Sequence, residues 1–287
     1  LGNSRDNIQD ILQYYTTNGE NDRHQRHQLE TSIMSRTLAA YVSDRPRRIL
    51  ELGAGSGLYT ELLAKMGHEI VALEPTPNLM EMNKERIKSQ KLENRVHWIS
   101  ADARDLKSAL SAEDLQNKFD VVLNMGPFYH LVQREDREDL FKHSLEVLKF
   151  DGLHFGVFLS RVGYASYLLR RQPENLLQDP DGFRDIMTQG FFSQHPRNGI
   201  FRGHFTELNE VSELHQSCGA VVQRLHVLDP CIGADDEIFN RLSGEIKAAW
   251  VEVLFALSSD PAFWGTGRTW LVLSQRPEIS KNQGPPS

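Results

Sequence analysis

The stretch "ELGAGSG" puts Glu51, Gly53, Gly55 and Gly57 between a short apolar run and a helical pattern. Glycine at such a turn lets the backbone bend tightly and approach a ligand with no Cβ in the way. Glu74 ends a second apolar run and Asp102 a third. Each carboxylate therefore falls at the C-terminal end of an expected strand, and the three converge on one sheet edge. A carboxylate after the second strand can accept both hydroxyls of a ribose, and one after the third an adenine amino group. Taken singly, each also suits a helix N-cap, and G-x-G alone marks many strand-to-helix turns. The set in register points to a nucleoside-bearing ligand. Dinucleotide sites use G-x-G-x-x-G; here Leu58 stands three beyond Gly55 and the third glycine is Gly57. That loop suits a ligand without a pyrophosphate, S-adenosylmethionine rather than a nicotinamide dinucleotide.

A second group lies in "VVLNMGPFYHLVQREDR", Val121 to Arg137, which begins as a buried strand and ends as a charged helix. Asn124 closes the strand, and the turn that follows carries Tyr129 and His130. An imidazole titrates near working pH, so His130 is a candidate base or orienting group; a hydrogen bond that only holds the turn is the other reading. Further along, Arg161, Tyr164 and His204 lie in an aromatic-rich stretch and are candidate substrate contacts. Arg161 suits an acidic substrate or a surface carboxylate equally.

The elements that must position these residues follow from periodicity. Strands are expected at Arg48 to Leu52, His68 to Pro75, "RVHWISAD", "FDVVLNMG", "LHFGVFLS", Val221 to Val227 and "TWLVLSQ". Helices are expected at Leu29 to Val42, Tyr59 to Met66, Asn78 to Gln90, Glu135 to Leu148 and Glu207 to Cys218. A turn is expected at "KFDG". Strands alternating with helices imply crossover units and a mostly parallel sheet. The expected organisation is an N-terminal helical lid (1–45), a ligand-binding core (46–160), a lid insertion (161–206) and the rest of the core (207–276) with a helical insertion (235–258). The tail 277–287 is expected to be disordered.

Composition narrows the function classes. A net charge of −7 over 287 residues, with no basic tract, argues against nucleic acid as a partner. No apolar run approaches the roughly 18 residues of a membrane span, and no apolar leader is visible, so a cytoplasmic protein without membrane contact is expected. Two cysteines, Cys218 and Cys231, give neither a disulfide framework nor zinc-ligand spacing, and no metal is expected.

With these residues in view, the chain resembles the class I S-adenosylmethionine-dependent methyltransferases from about Arg47 to Gln275. "ILELGAGSG" resembles their first motif, "VALEP" the ribose-binding acid and "ISADARDL" the adenine-binding acid. "FDVVLNMGPFYHL" with "LFKHSLEVLKFDGLHFGVF" looks like their fourth strand, helix and fifth strand, and the GPxYH turn resembles a subgroup acting on small metabolites. The resemblance implies a Rossmann-like seven-stranded α/β sheet, last strand antiparallel, with helical lids. It implies Gly53, Gly55 and Gly57 along the methionine portion, and Glu51 fixing the loop. Glu74 would hold the ribose, Asp102 and Ala103 the adenine, and Asn124 would lie near the sulfonium. Tyr14, Tyr15 and Arg23 match an N-terminal lid that touches the cofactor. His130 and Tyr129 would face the acceptor, with Tyr164, Arg161 and His204 as lid contacts. The expected partner is a small-molecule, specialised-metabolite acceptor, and the expected assembly a monomer or homodimer. A cyclase that uses the bound sulfonium without transfer, and a nicotinamide-dependent oxidoreductase, are the alternatives.

Overall fold

The structure, a computed structural model, describes residues 6–17, 23–192, 203–230 and 236–276; within these, the side chains of Asp6, Asn7, Asp10, Thr17, Arg23 and His24 are outside the description. The sheet is built from β1 (Arg48–Leu52), β2 (Glu69–Leu73), β3 (Val96–Ile99), β4 (Phe119–Asn124), β5 (Leu148–Ser160), β6 (Phe205–Thr206), β7 (Val221–Val227) and β8 (Thr269–Gln275). The order is β3-β2-β1-β4-β5-β8-β7, with β6 paired to the end of β5. β8 runs antiparallel to both neighbours, and the other pairings are parallel. The expected seven-stranded sheet is therefore present. The eighth strand is a two-residue addition, too short to show a period of two.

Alternation along the strands divides the core. Ile49, Ile70, Ala72, Val121, Leu123 and Phe155 face one layer, which Leu29, Ile33, Met34 and Leu38 of the helix Gln28–Val42 cover. Leu50, Leu52, Val71, Leu73 and Val122 face the other, closed by the helices Arg134–Val147 and Leu208–Ser217. Both faces being apolar is what a parallel sheet flanked by helices requires.

One expected turn became part of a strand. Partners step from Phe119↔Leu148 to Val121↔Leu153, so Lys149 to Gly152 are accommodated as a bulge, with Asp151 at φ +57°. The "KFDG" signal is real turn chemistry, and the ladder resumes on either side of it.

The stretch read as a lid contains the helices Arg161–Arg171, Asn175–Gln178 and Pro180–Gln189. The later insertion forms Asp236–Asn240 and Gly244–Ser258. Among the described residues no helix is long and apolar enough to cross a membrane. Cys218 is a half-buried free thiol; Cys231 and the tail 277–287 lie outside the described residues.

Candidate functional site

The loop after β1 is held from three sides. Gly53 takes φ +72°, and a Cβ there would lie 2.8 Å from Pro127 Cδ. Gly57 takes φ +84°, and its Cβ would come within 2.6 Å of Asn83 Cγ. Any other residue at either position would be strained and would collide with a neighbour. Gly55 differs: a Cβ there would meet open space, because the loop faces a cleft at that point. The Glu74 carboxylate fixes the loop to the end of β2, accepting from Gly55 N–H through Oε2 and from Thr76 N–H through Oε1, each at 2.9 Å.

Beneath the loop runs a chain of hydrogen bonds that sequence reading missed. Trp98 Nε1 donates to Asn83 Oδ1 (3.2 Å), Asn83 Nδ2 to Thr60 Oγ1 (3.1 Å), and Thr60 Oγ1 to Glu51 Oε2 (2.7 Å). Glu51, Thr60 and Asn83 have no exposed surface, and Glu51 Oε1 is buried without a hydrogen-bond partner. Burial pushes the Glu51 carboxyl up to about 8, and the nearby Glu74 charge adds to the effect against the Thr60 hydrogen bond. Glu51 is thus held mainly in its neutral form at neutral pH, hydrogen-bonded to Thr60.

This has a consequence for stability. A carboxyl raised from 4.5 to about 8 by folding stabilises the native state fully below the lower value. That contribution is lost as pH rises through the higher one. Glu51→Gln keeps the hydrogen-bonding shape without the titration. The stability of the variant relative to the parent is expected to rise between pH 5 and pH 8.5, by roughly 1.4 kcal/mol per pKa unit crossed. Thermal melts at several pH values check this; a constant difference would show that Glu51 does not titrate in that window.

Asp102 caps the 3-10 turn Ala103–Asp105, accepting from Arg104 N–H at 3.0 Å, and its oxygens also receive Arg104 Nε and Nη2. It lines the cleft together with Ala103 and Arg104. The capping alternative raised by the sequence is therefore present, and Arg104, two residues on in the same motif, is its partner.

Asn124 ends β4 with no exposed surface, and both its Oδ1 and Nδ2 are buried without partners. The turn beyond is anchored at three points. Phe128 stacks on Phe158 at 5.0 Å in space that Gly156 leaves open. Arg137 Nη1 donates to the carbonyls of Leu131 (2.7 Å) and Val132 (2.8 Å). His204 N–H donates to Tyr129 O at 2.8 Å. Burial pulls the Arg137 guanidinium down to about 10, opposed by the Glu210 charge, so this grip uses a largely desolvated cation.

Tyr129 and His130 both line the cleft. Tyr15, on the helix Asp6–Thr17, hydrogen-bonds through its hydroxyl to His130 Nε2 at 2.8 Å, with the rings edge to face. Tyr15 was expected at the cofactor; it lines the cleft but reaches the histidine. Tyr14 packs edge to face on Tyr15. Arg23 opens the short helix Arg23–Arg26, and its side chain is outside the description.

The expected lid contacts lie elsewhere. Arg161 bonds to the carboxylates of Glu207 and Glu210 and to Phe205 O. His204 Nε2 lies 2.7 Å from Glu210 Oε2, and burial holds its imidazole below the usual range. Tyr164 packs on Phe205 at 4.3 Å, its phenol pushed up to about 12 by burial. None of the three lines the cleft, nor does any described residue of 161–206. They form the apolar and ionic backing of the β4 turn. The wall facing the turn comes instead from Ile8, Ile11 and Tyr15 on the first helix and from Glu30, Thr31 and Met34 on the helix Gln28–Val42, with His27 just before it.

One cleft thus joins the glycine loop, two carboxylates, the Tyr15–His130 pair and a partly apolar wall. Residues 49–152 match a family model described as "Methyltransferase domain". Over 122 residues the chain is 29% identical to the ubiquinone biosynthesis O-methyltransferase of Pelagibacter ubique, covering 42% of this chain and 46% of that one. The chain spans about half the length of the curated relatives it matches. Among solved structures, the 1,6-didemethyltoxoflavin-N1-methyltransferase of Burkholderia thailandensis was crystallised with S-adenosylhomocysteine. It overlays with a TM-score of 0.59 at 12% identity, over 97% of this chain and 92% of that one. The 4+2 cyclase SpnF overlays with a TM-score of 0.54 at 14% identity, over 86% and 81%. At such identities the likeness is one of fold.

Proposed function

We propose that this chain, which carries the class I S-adenosylmethionine-dependent methyltransferase fold and a methyltransferase domain at residues 49–152, moves a methyl group to an N, O, S or C atom of a small-molecule acceptor. The observation that carries the reading is the continuity of the cleft. Gly55 and Glu74 at the ends of β1 and β2, Asp102 and Ala103 after β3, and Tyr129 and His130 after β4 all open into it.

The residues present fit S-adenosylmethionine. The open face of Gly55 admits a ligand against the backbone. Asn124, expected near the sulfonium, ends β4 with two unpartnered amide atoms but lies behind the cleft lining, which Met125 and Gly126 reach. Glu74 and Asp102 would hold ribose and adenine, Ala103 the ring through its backbone, and Gly53 and Gly55 the methionine portion, while Gly57 packs on Asn83 outside the cleft lining. Glu51 supports the loop from below. When bound, S-adenosylmethionine supplies an electrophilic methyl group on a sulfonium.

Transfer from a sulfonium is an in-line displacement, so holding two reactants in line supplies much of the acceleration. The anchored turn does this from one side and the first helix from the other. Where the acceptor atom carries a proton, His130 is placed to receive it or to orient the acceptor, and Tyr15 fixes the ring. Tyr129 shapes the same wall.

Incubation with S-adenosylmethionine and a panel of small hydroxylated, amino and thiol acceptors is expected to give S-adenosylhomocysteine and a product heavier by one CH2. Failure to bind either form of the cofactor would sink the reading. Because a cyclase shares the fold, product mass is the discriminating observable: cyclisation leaves it unchanged. Preference for NAD(H) over S-adenosylmethionine in a binding assay would favour the oxidoreductase instead.

A further inference from the structure

Among the described residues two imidazoles line the cleft, those of His130 and His27. His130 has its Nε2 against the Tyr15 hydroxyl, and its Nδ1 is buried. His27 is placed differently. It stands at the start of the helix Gln28–Val42, with Nδ1 2.8 Å from Oδ2 of Asp236, 209 positions away. Asp236 opens the helix Asp236–Asn240 beyond β7 and does not itself line the cleft. A carboxylate at that distance accepts a hydrogen bond, so Nδ1 carries the ring hydrogen and the neutral imidazole keeps its lone pair on Nε2. That Nε2 makes no hydrogen bond among the described residues and retains accessible surface, the side chain being 23% exposed.

The carboxylate behind the ring is held at a cost. Asp236 Oδ1 is buried and accepts no hydrogen bond among the described residues, an arrangement that is unfavourable unless the charge is used. A carboxylate on Nδ1–H fixes the tautomer and makes Nε2 the better proton acceptor. The other charges nearby are Arg268, whose Nη2 lies 3.4 Å from His27 Nδ1, and Glu30, 3.5 Å from the same Nη2. Arg268 opposes a charge on the imidazole, and Asp236, which is closer, favours it. In the sheet, β7 lies beyond β4 and β5 from β1–β3. The dyad is therefore anchored away from the strands whose ends carry Glu74 and Asp102.

We propose that His27 is a second proton-accepting catalytic residue of the cleft, acting on a hydroxyl of the bound acceptor, with Asp236 as its positioning residue. The inference rests on the methyltransferase reading. The acceptor's O–H bond breaks and its proton passes to Nε2. The oxygen pair forms the bond to the methyl carbon, and the carbon–sulfur pair stays on sulfur. The imidazolium, facing Asp236, gives the proton to water once the product has left.

The test uses the full chain saturated with S-adenosylhomocysteine and titrated with 4-nitrophenol, with 4-nitroanisole as the probe that lacks the proton. At a pH where free 4-nitrophenol is mainly the neutral phenol, the parent is expected to bind it as the coloured phenolate. His27→Gln is expected to weaken its binding about tenfold or more and to leave the bound probe as the phenol. Affinity for 4-nitroanisole and for S-adenosylhomocysteine should stay within about twofold. Asp236→Asn keeps the shape and removes the charge; it is expected to lower the phenolate fraction at saturating probe, which loss of a mere tether between helices would not do. On the parent, diethylpyrocarbonate with peptide mass mapping is expected to modify His27 and 4-nitrophenol to protect it, which decides the matter even if the variants fail to fold. Phenolate retained in His27→Gln, or a His27 that does not react, would overturn the proposal. A parent that does not bind S-adenosylhomocysteine refutes the underlying reading; one that binds it but not 4-nitrophenol refutes this inference alone.

Discussion

Glu74→Ala is expected to weaken S-adenosylmethionine binding by about 100-fold or more while the sheet stays folded. The Glu74 carboxylate holds the N–H groups of Gly55 and Thr76, and it is the group read as taking the ribose hydroxyls. Its loss leaves two donors without their acceptor at roughly 1–3 kcal/mol each where they are buried, and about 1.4 kcal/mol corresponds to a factor of ten. The loop also loses its tie to β2, so order that the parent holds in advance must be restored on binding. β1 and β2 pair through five register positions that do not involve the Glu74 side chain, which is why the fold should survive. Asp102→Ala should cost less, about tenfold, because Arg104 already shares that carboxylate. Calorimetric titration, with circular dichroism to verify folding, checks both; normal binding by Glu74→Ala would show that the strand-edge assignment is wrong.

His130→Ala should have its effect on turnover. A positioned acid–base group contributes typically about 10²–10⁴-fold, and that is the expected fall in kcat with an acceptor whose reacting atom carries a proton. Cofactor affinity should stay within about threefold, since the glycine loop and the two carboxylates are untouched. Tyr15→Phe removes only the hydroxyl 2.8 Å from His130 Nε2; about a tenfold loss of kcat is expected, because the ring loses the group that fixes it. The opposite pattern for His130→Ala, lost affinity with retained turnover, would make the residue a structural support of the turn.

Much of this frame was legible in the residues. β1, β7 and β8 fall where the apolar runs placed them, and the other long strands and the major helices shift only by a few residues at their ends. Local chemistry explains this: period-two runs, glycines after strands and acids at helix starts act within a few residues of one another. The same holds for the glycine loop, since a strand followed by G-x-G-x-G and a helix already dictates which edge the backbone presents. Arg104 could have been read too, as it stands two residues from Asp102 in the same turn.

What was not legible depended on partners far apart in the chain. Tyr15 and His130 are 115 positions apart, and no periodicity relates them. Arg161 and His204 look like substrate contacts by residue type; only packing shows that Glu207 and Glu210 engage Arg161 and that Glu210 engages His204. Tyr164 is aromatic in an aromatic-rich stretch, yet the phase of its helix turns it onto Phe205 rather than the cleft. The sequence by itself determined the sheet, the loop and the edge at which the carboxylates gather, because these follow from patterns along a single stretch of chain. Tertiary structure alone decided which helices wall the cleft and which charges neutralise one another. Those outcomes depend on distances between side chains that only folding brings together.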